Sequence, residues 1–518
     1  MEPPRTVAVI DIGATSIRMA IAEIPRGGSD AGGEVRTLET LMQSVELGRE
    51  VFQNRRLSRK SIEKAASVLS RYKQTLVEYG ITSPADVRVV ATTAVREASN
   101  RIAFADRIFI ATGFNVVPID EAEVSRITYM GVMPHLNSSE ELGEGKSIVV
   151  EVGGGNTEML IIRGGNVLHS QSVRLGSLRL LNTLEGVRAS AARRRSMLES
   201  HIKRMLTQII DSVQTDASMH LIALGGEMRF AAKQLSEDWD ANSLAKIPTK
   251  RLERFTEKIL RLDEDAIVRQ YDASFVEAQT LGPSLLSYTL LAKHFDLDHV
   301  FVCDTNLRDG LLNDMAAGNR LDDDFRNQIV RSAIALGRKF DFDETHARNV
   351  AELARKLFQE LSPQHRLESR NEVILFVAAL LHEIGLIVNT RSNHKHTLYL
   401  IRNSELFGLS QGDLLLIGLV ARYHRRASPQ PSHEGYGGLN QAKRVIVSKL
   451  AAILRLAIAL DDTRSGRIRD LSCKHETKQL VIRALGVDDV SLEQVSMREN
   501  SSLFRDTFGL PVLLKAGK

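Results

Sequence analysis

Up to about residue 314, short β-branched runs alternate with glycine-bearing turns; from about residue 321, apolar positions recur at helical spacing instead. Val7, Val9 and Ile10 lead into Asp11-Ile12-Gly13-Ala14-Thr15-Ser16, and another apolar run follows at 17–24. Ile148, Val149 and Val150 lead into Glu151-Val152-Gly153-Gly154-Gly155-Asn156-Thr157-Glu158, followed by apolar residues 159–162. The pattern reads as strand, tight turn, strand, written twice. Between the turns it predicts a strand at 87–91, a helix near 99–112, a strand at 115–119 and a polar linker at 134–146. Strands follow at 147–152, 158–163, 220–224 and 299–303, with helices between them, one spanning 188–214. The later helical periodicities cover 325–338, 345–361, 371–383, 396–404, 411–426 and 441–462. Strands at 477–483 and 488–494 close the chain on a small α/β element.

The two turns carry the first chemical hint. Glycine lets backbone N–H groups approach a phosphate with no side chain in the way. The acid heading each turn, Asp11 or Glu151, suits Mg²⁺, a hard cation that prefers oxygen ligands. No G-x-x-x-x-G-K-[ST] loop occurs, and these glycines do not open a helix as a dinucleotide fingerprint would. One such turn alone reads best as a plain hairpin. Two, each headed by an acid, point to a phosphate clamp between two related domains.

The turns resemble the phosphate loops of the actin/sugar-kinase/Hsp70-like superfamily. More narrowly, the chain resembles the exopolyphosphatase / guanosine pentaphosphate phosphohydrolase family. Ala91-Thr92-Thr93-Ala94-Val95-Arg96-Glu97-Ala98-Ser99-Asn100 is similar to that family's T-x-A-x-R-x-A-x-N segment. Tyr129-Met130-Gly131-Val132, Arg174-Leu175-Gly176-Ser177, Leu224-Gly225-Gly226 and Leu307-Arg308-Asp309-Gly310-Leu311-Leu312 resemble further landmarks. His394-Lys395-His396 and Tyr423-His424-Arg425-Arg426 resemble its helical domain. The resemblance implies an α/β fold of two tandem actin-like (ribonuclease H-like) domains, 1–133 and 134–318, flanking a cleft. An all-α HD-like domain at 319–466 and a small C-terminal α/β element at 467–518 would follow. It also implies Mg²⁺-dependent hydrolysis of a terminal phosphoanhydride, on inorganic polyphosphate or guanosine penta/tetraphosphate, by a homodimer.

Within that resemblance, Gly13, Thr15, Ser16, Gly153, Gly154, Gly155, Asn156, Gly225 and Gly226 supply the phosphate cradle. Arg96 is the candidate fixed cation; its other reading is an ion pair with Glu97 or another acid. Asp11, Glu151 and Glu158 are the candidate Mg²⁺ ligands, and Glu151 and Glu158 are also candidate catalytic acids. The family pattern has two adjacent glutamates before Ala-Arg, the second being the usual base. Counting back from Met130-Gly131-Val132 puts that base at Val124, which cannot move a proton. Glu123 aligns with the first glutamate and ranks slightly ahead of Glu121, which lies three residues before Val124 and nearer its helical face. Glu151 in place of aspartate, Glu227 in place of threonine and Thr15 in place of asparagine are further departures. They support a second reading, a catalytically weakened relative that binds polyphosphate or (p)ppGpp as a sensor.

The helical segment resembles the HD phosphohydrolase fold. His346 stands at the first ligand, His382-Glu383 at the histidine-aspartate pair, with His396 and His424 beyond. The final aspartate falls near Ile458, an apolar residue that cannot bind metal. The expectation is a retained scaffold with buried or groove-lining histidines and no tightly bound dinuclear metal. Metal-dependent phosphohydrolysis by this domain is a third reading.

Composition narrows the class. A chain of 518 residues is too long for one core and suggests three or four domains. Its 43% hydrophobic and 25% charged residues are those of a globular protein, and no apolar run reaches the length of a membrane span. Met1–Thr6 lacks the apolar core of a signal peptide, and two cysteines, Cys303 and Cys473, form no disulfide framework; a cytoplasmic location is expected. The net charge of +4 hides basic clusters at Arg55-Arg56 with Arg59-Lys60, at Arg193–Arg195 and at Arg422, Arg425 and Arg426. A polyanion can track such patches, but each taken singly reads as a solvated helix face. No nucleic-acid-binding module is recognisable.

Overall fold

The computed structural model describes residues 4–25, 35–143, 145–184, 190–210, 219–236, 239–240, 243–317, 323–425, 427–476 and 478–517. The chain divides into two compact units, 1–320 and 321–518. Among the described residues, no helix is long and apolar enough to cross a membrane.

The first unit holds two mixed sheets. The first contains β1 (Arg5–Ile12), β2 (Ser16–Ile24), β3 (Arg36–Ser44), β4 (Val87–Ala91) and β5 (Val116–Pro118), in the order β3-β2-β1-β4-β5. The second contains β6 (Lys146–Val152), β7 (Thr157–Arg163), β8 (Asn166–Val173), β9 (Met219–Leu224), β10 (Ala245–Pro248) and β11 (His299–Val302), in the order β10-β11-β9-β6-β7-β8. Reading β8-β7-β6-β9-β11 against β3-β2-β1-β4-β5 gives the same path. In each, an antiparallel meander runs to one side of the acid-bearing strand and parallel strands to the other. The two halves are related folds, as the repeated turn implies.

The two-residue period of a strand explains where the acids point. On β1, Ala8, Ile10 and Ile12 enter a core with Ala65, Leu69 and Tyr72 of the helix Arg59–Glu78. Val7 and Val9 enter a second core with Val124 and Ile127 of the helix Glu121–Asn137 and Leu307 and Leu311 of the helix Leu307–Ala316. Asp11 shares the Val7–Val9 face and therefore looks toward the last of these helices. On β6, Ile148, Val150 and Val152 enter the core beside the helix Phe275–His294, leaving Glu151 on the opposite face. Each fully buried aliphatic side chain contributes about 1.5–3 kcal/mol, so reversing either strand's facing is prohibitive.

Several elements differ from the periodicity reading. The stretch read as a linker, 134–146, carries the end of the helix Glu121–Asn137 and a short helix Glu140–Gly143; Pro134 is accommodated within the former. The helix expected at 188–214 is Ala191–Ile210, and 188, 189 and 211–214 lie outside the described residues. The helix Arg59–Glu78 went unread although Ala65, Val68, Leu69, Tyr72 and Leu76 repeat at helical spacing behind the Ser58 cap.

The second unit is mainly helical: Asp323–Lys339, Glu344–Glu360, Arg370–Leu381, Asn393–Arg402, Gln411–Arg422 and Gln441–Leu460. A sheet of β12 (Asp470–Glu476), β13 (Gln479–Leu485) and β14 (Val512–Gly517) follows, with β13 central. The strand expected at 488–494 is replaced by the helix Ser491–Asn500, whose buried Glu493, Ser496 and Met497 follow a helical period. Residue 477, the expected start of β13, lies outside the described residues.

One buried ion network ties the first unit together. Asp314, 5% exposed, accepts from Arg126 at 2.8 and 3.0 Å and also pairs with Arg88. Glu123 accepts from Arg126 twice at 2.8 Å and from Arg88 at 3.2 Å. Burial alone would raise the Asp314 carboxyl; hydrogen bonds and charge from Arg126, then Arg88, outweigh it and hold its pKa below the ordinary value. Its stabilising contribution is therefore present above the unfolded pKa of about 3.9 and lost as pH falls through the folded value. Asp314→Asn should cost about 3–5 kcal/mol at neutral pH in urea unfolding, because the buried Arg126 and the half-buried Arg88 guanidinium groups lose a partner. The gap between variant and parent should close as the pH drops below about 4.

Candidate functional site at the junction of the two hairpins

The two glycine turns close in the same way. Gly13 donates to the Ser16 carbonyl at 3.0 Å, and Gly153 donates to the Asn156 carbonyl at 2.9 Å. They also meet: a Cβ on Gly154 would lie 3.1 Å from that of Ala14 and 3.5 Å from the Thr15 methyl. The segment Gly176–Arg179 braces the second turn. Ser177 donates to the Gly153 carbonyl at 2.9 Å, Leu178 and Arg179 donate to that of Gly154 at 3.1 Å, and Arg179 Nε donates to that of Gly155 at 2.9 Å. Gly176 is required there, since a Cβ would fall 2.4 Å from the Gly154 carbonyl oxygen. Gly225 follows β9 at φ +100°, which excludes other residues, and opens the helix Gly226–Leu235 beside Glu151. All of this lies at the carboxyl ends of parallel strands, where open α/β sheets place ligands.

Cross-strand register decides the electrostatics. In the first hairpin Asp11 faces Arg18; in the second, Glu151 faces Glu158. Two carboxylates directly opposed repel each other. Burial, then the charge of Glu121, raises the Glu158 pKa to about 8, against the hydrogen bond that Ser172 donates at 2.8 Å. Glu151 and Asp11 are also raised, chiefly by burial; Arg229 opposes this for Glu151, and Arg308 and then Arg18 oppose it for Asp11. Asp11 Oδ1, Glu158 Oε2 and Asn156 Oδ1 are buried with no hydrogen-bond partner among the described residues.

The three arginines were not assigned as site residues from sequence. Arg18 was hidden in an apolar run, and its alternation to Asp11 across the hairpin was the available signal. Arg308 is 6% exposed, with a nitrogen 3.8 Å from Asp11 Oδ2, and it belongs to a landmark segment that carried no assigned role. Arg229 pairs with Asp304 at 3.2 Å.

The helix Glu121–Asn137 distributes its first residues to three environments. Glu121, half-exposed, accepts at 3.2 Å both from Arg96 and from Asn156 of the second turn. Arg96 thus pairs with Glu121, while Glu97 pairs with Arg174 and Arg179. Val124 is 7% exposed within the apolar core shared with β1. Glu123, ranked first from sequence, is held in the Arg88–Arg126–Asp314 network. The 100° turn per residue makes the two glutamates diverge, so it is Glu121 that adjoins the second glycine turn.

In the second unit, ligand atoms of His346, His382 and Glu383 lie within 4.8 Å of one another. The His424 ring packs edge-on against that of His382 at 5.3 Å. Burial pushes the His382 pKa down to about 4. His396 is half-buried and outside the three-residue group. The expectation that an apolar residue ends this set needs correction. Asp461, not Ile458, turns inward, with Oδ2 2.8 Å from His346 Nδ1. The helix Gln441–Leu460 stops one residue earlier, and Asp461, three residues beyond Ile458, leaves helical geometry on nearly the same face. Arg425 contacts Asn393 at 3.3 Å, and Arg426 lies outside the described residues.

Residues 28–318 match the model of the Ppx/GppA phosphatase family, and residues 330–500 match that of Ppx/GppA phosphatase, domain III. The chain belongs to the Ppx/GppA phosphatase family. It is accordingly a hydrolase. A guanosine-5'-triphosphate,3'-diphosphate pyrophosphatase of Vibrio atlanticus is 25% identical over 473 residues, covering 89% of this chain and 88% of that one. A protein of the same name from Vibrio vulnificus is 23% identical over 98% of both chains. The crystal structure of an exopolyphosphatase from Cytophaga hutchinsonii superposes with TM-score 0.54 at 19% identity, covering 61% of this chain and 98% of that one. It shares the fold of tandem actin-like domains.

The two glutamates should separate by measurement. Glu123→Gln should lower stability by about 1.5–3 kcal/mol, since charged hydrogen bonds are lost inside the network. Glu121→Gln, at a half-exposed site, should change it by less than about 1 kcal/mol. Urea unfolding of both variants makes the comparison.

Proposed function

We propose that this member of the family is a Mg²⁺-dependent phosphoanhydride hydrolase that releases the terminal phosphate of guanosine pentaphosphate or inorganic polyphosphate. The observation that carries the reading is the meeting of the two turns, with buried Asp11 and half-buried Glu151 on either side and Arg18, Arg229 and Arg308 among them. Guanidinium groups match phosphate oxygens, and the backbone N–H groups of Gly154 and Gly155 in the second turn and of Gly226 at the helix start add fixed donors. The near-full-length likeness to proteins named as guanosine-5'-triphosphate,3'-diphosphate pyrophosphatases supports the pentaphosphate arm, and the likeness to an exopolyphosphatase structure supports the fold it needs.

The acids fit a hard divalent cation. Asp11 and Glu158 each keep a buried oxygen without a partner, and Mg²⁺ is usually held by one or two carboxylates together with water and phosphate oxygens. Asp11, Glu151 and Glu158 would hold it, and the ion would neutralise charge on the phosphate oxygens. Glu121 positions the attacking water. Its carboxylate touches Asn156 of the second turn and is held by Arg96, which orients it.

A second reading, binding without turnover, is favoured by Val124 in an apolar environment at the family's base position and by Glu227 in the first turn of the helix that follows Gly225. Phosphate release from guanosine pentaphosphate and from polyphosphate, with Mg²⁺ titrated and binding measured alongside, separates the two. The expected outcome is Mg²⁺-dependent release that drops about 10²–10⁴-fold in Glu121→Gln while the polyanion still binds. An unchanged rate in that variant removes Glu121 from the mechanism. Tight binding with no release by the parent, and release gained by Val124→Glu, establishes the sensor instead.

A further inference from the structure

Strands β6 and β9 run parallel and both end at the junction, β6 in the Gly153–Gly155 turn and β9 at Gly225. Their register ends with Glu151 opposite Leu224. Successive carbonyls of a strand point to its two neighbours in alternation. The Ala223 carbonyl accepts from Cys303, just past β11, at 3.1 Å, so the Leu224 carbonyl faces β6. In an uninterrupted parallel ladder it would take the Val152 N–H, the next donor on β6. The Tyr288 hydroxyl stands between them instead. The Val152 N–H donates to that oxygen at 2.7 Å, and the hydroxyl donates to the Leu224 carbonyl at 2.6 Å.

Tyr288 is fully buried on the helix Phe275–His294, with Leu285 and Leu291 in the same core. Burial holds its pKa well above the ordinary tyrosine value, against the hydrogen bond from Val152, so the hydroxyl keeps the proton it donates. A Cβ on Gly225 would lie 3.5 Å from this oxygen, so the hydroxyl lies against the turn that opens the helix Gly226–Leu235. Neither backbone group needs the tyrosine for a partner, because each could pair with the other. What the hydroxyl adds is distance. Two bonds meeting at one oxygen hold the N–H and the carbonyl about 1–2 Å farther apart than a direct bond of about 2.9 Å. That separation falls at the step where both strands become turns, and ligands of open α/β sheets sit where strand ends part.

We propose that Tyr288 is a positioning residue for the phosphate cradle, its hydroxyl a one-atom spacer that holds the Gly153–Gly155 turn and the Gly225–Gly226 turn apart. The inference rests on the reading of the junction as a phosphate site. Tyr288 acts through the backbone of Val152 and Leu224, and so sets how far the N–H groups of Gly154 and Gly155 stand from that of Gly226.

The test uses the full-length protein and Tyr288→Phe, which keeps the ring and removes only the spacer oxygen. A crystal structure of the variant should show the Val152 N–H bonded directly to Leu224 and the two turns closer by about 1–2 Å. The thermal unfolding midpoint should move by less than about 4 °C, because both backbone groups stay paired. Binding of tripolyphosphate with Mg²⁺, measured by calorimetry per folded protein, should weaken about three- to tenfold, the scale of one hydrogen bond. A hydroxyl with a purely structural role would lower the midpoint and leave that affinity unchanged, which overturns the proposal. Unchanged spacing between the turns overturns it as well. Tyr288→Met, which also lacks the hydroxyl and can fill the same space, is measured alongside. Parent-like affinity in either folded variant rejects the spacer, and failure of both to fold assigns the hydroxyl to the fold instead. No binding by the parent ends the phosphate reading and the cradle role with it, whereas binding by the parent and unaltered binding by the variants ends only the latter.

Discussion

Like charge buried at one junction is the constraint on which the first unit depends. Two hairpins of the same design bring Asp11 and Glu151 to the same place, and register adds Glu158 directly opposite Glu151. Burial weakens the screening of these groups by water, so each acid is pushed toward its neutral form or requires positive charge nearby. Arg18, Arg229 and Arg308 supply part of that charge. Arg308 is in turn costly to bury: burial first, and then Arg18 and Arg229, work against its charge, while Asp11 and Asp309 support it.

The two hairpins are not equivalent, and the difference is one residue pair. Asp11 opposite Arg18 is close to neutral on its own; Glu151 opposite Glu158 is not. Duplication thus produced one half that pairs acid with base and another that pairs acid with acid. The second half is where a carboxyl is raised to about 8 and where oxygens of Asn156 and Glu158 remain unpartnered. The asymmetry gives the junction a direction that the backbone repeat does not have.

The helix Glu121–Asn137 shows how one element serves structure and site together. Residue by residue it sends Glu121 to the second glycine turn, Glu123 into the ion network and Val124 into the core. The network then fixes the helix against β4 and the helix Leu307–Ala316, which also carries Arg308. Position at the junction therefore depends on contacts made well away from it.

The sequence by itself determined the repeated strand–turn–strand units, the α/β character of the first part, the helical character of the second and the family. Those properties are local: β-branched runs, glycine at turns and helical spacing act through neighbours along the chain. It also named most residues now found at the junction, because each sits inside a turn or motif. Tertiary structure alone decided which glutamate adjoins the second glycine turn, that Arg18, Arg229 and Arg308 join the acids, and that Asp461 rather than Ile458 meets His346. Each of these is a matter of facing. A helix turns about 100° per residue and a strand alternates, so a shift of one to three positions moves a side chain between core, network and site. No local signal sets that phase; the packing of the whole unit does.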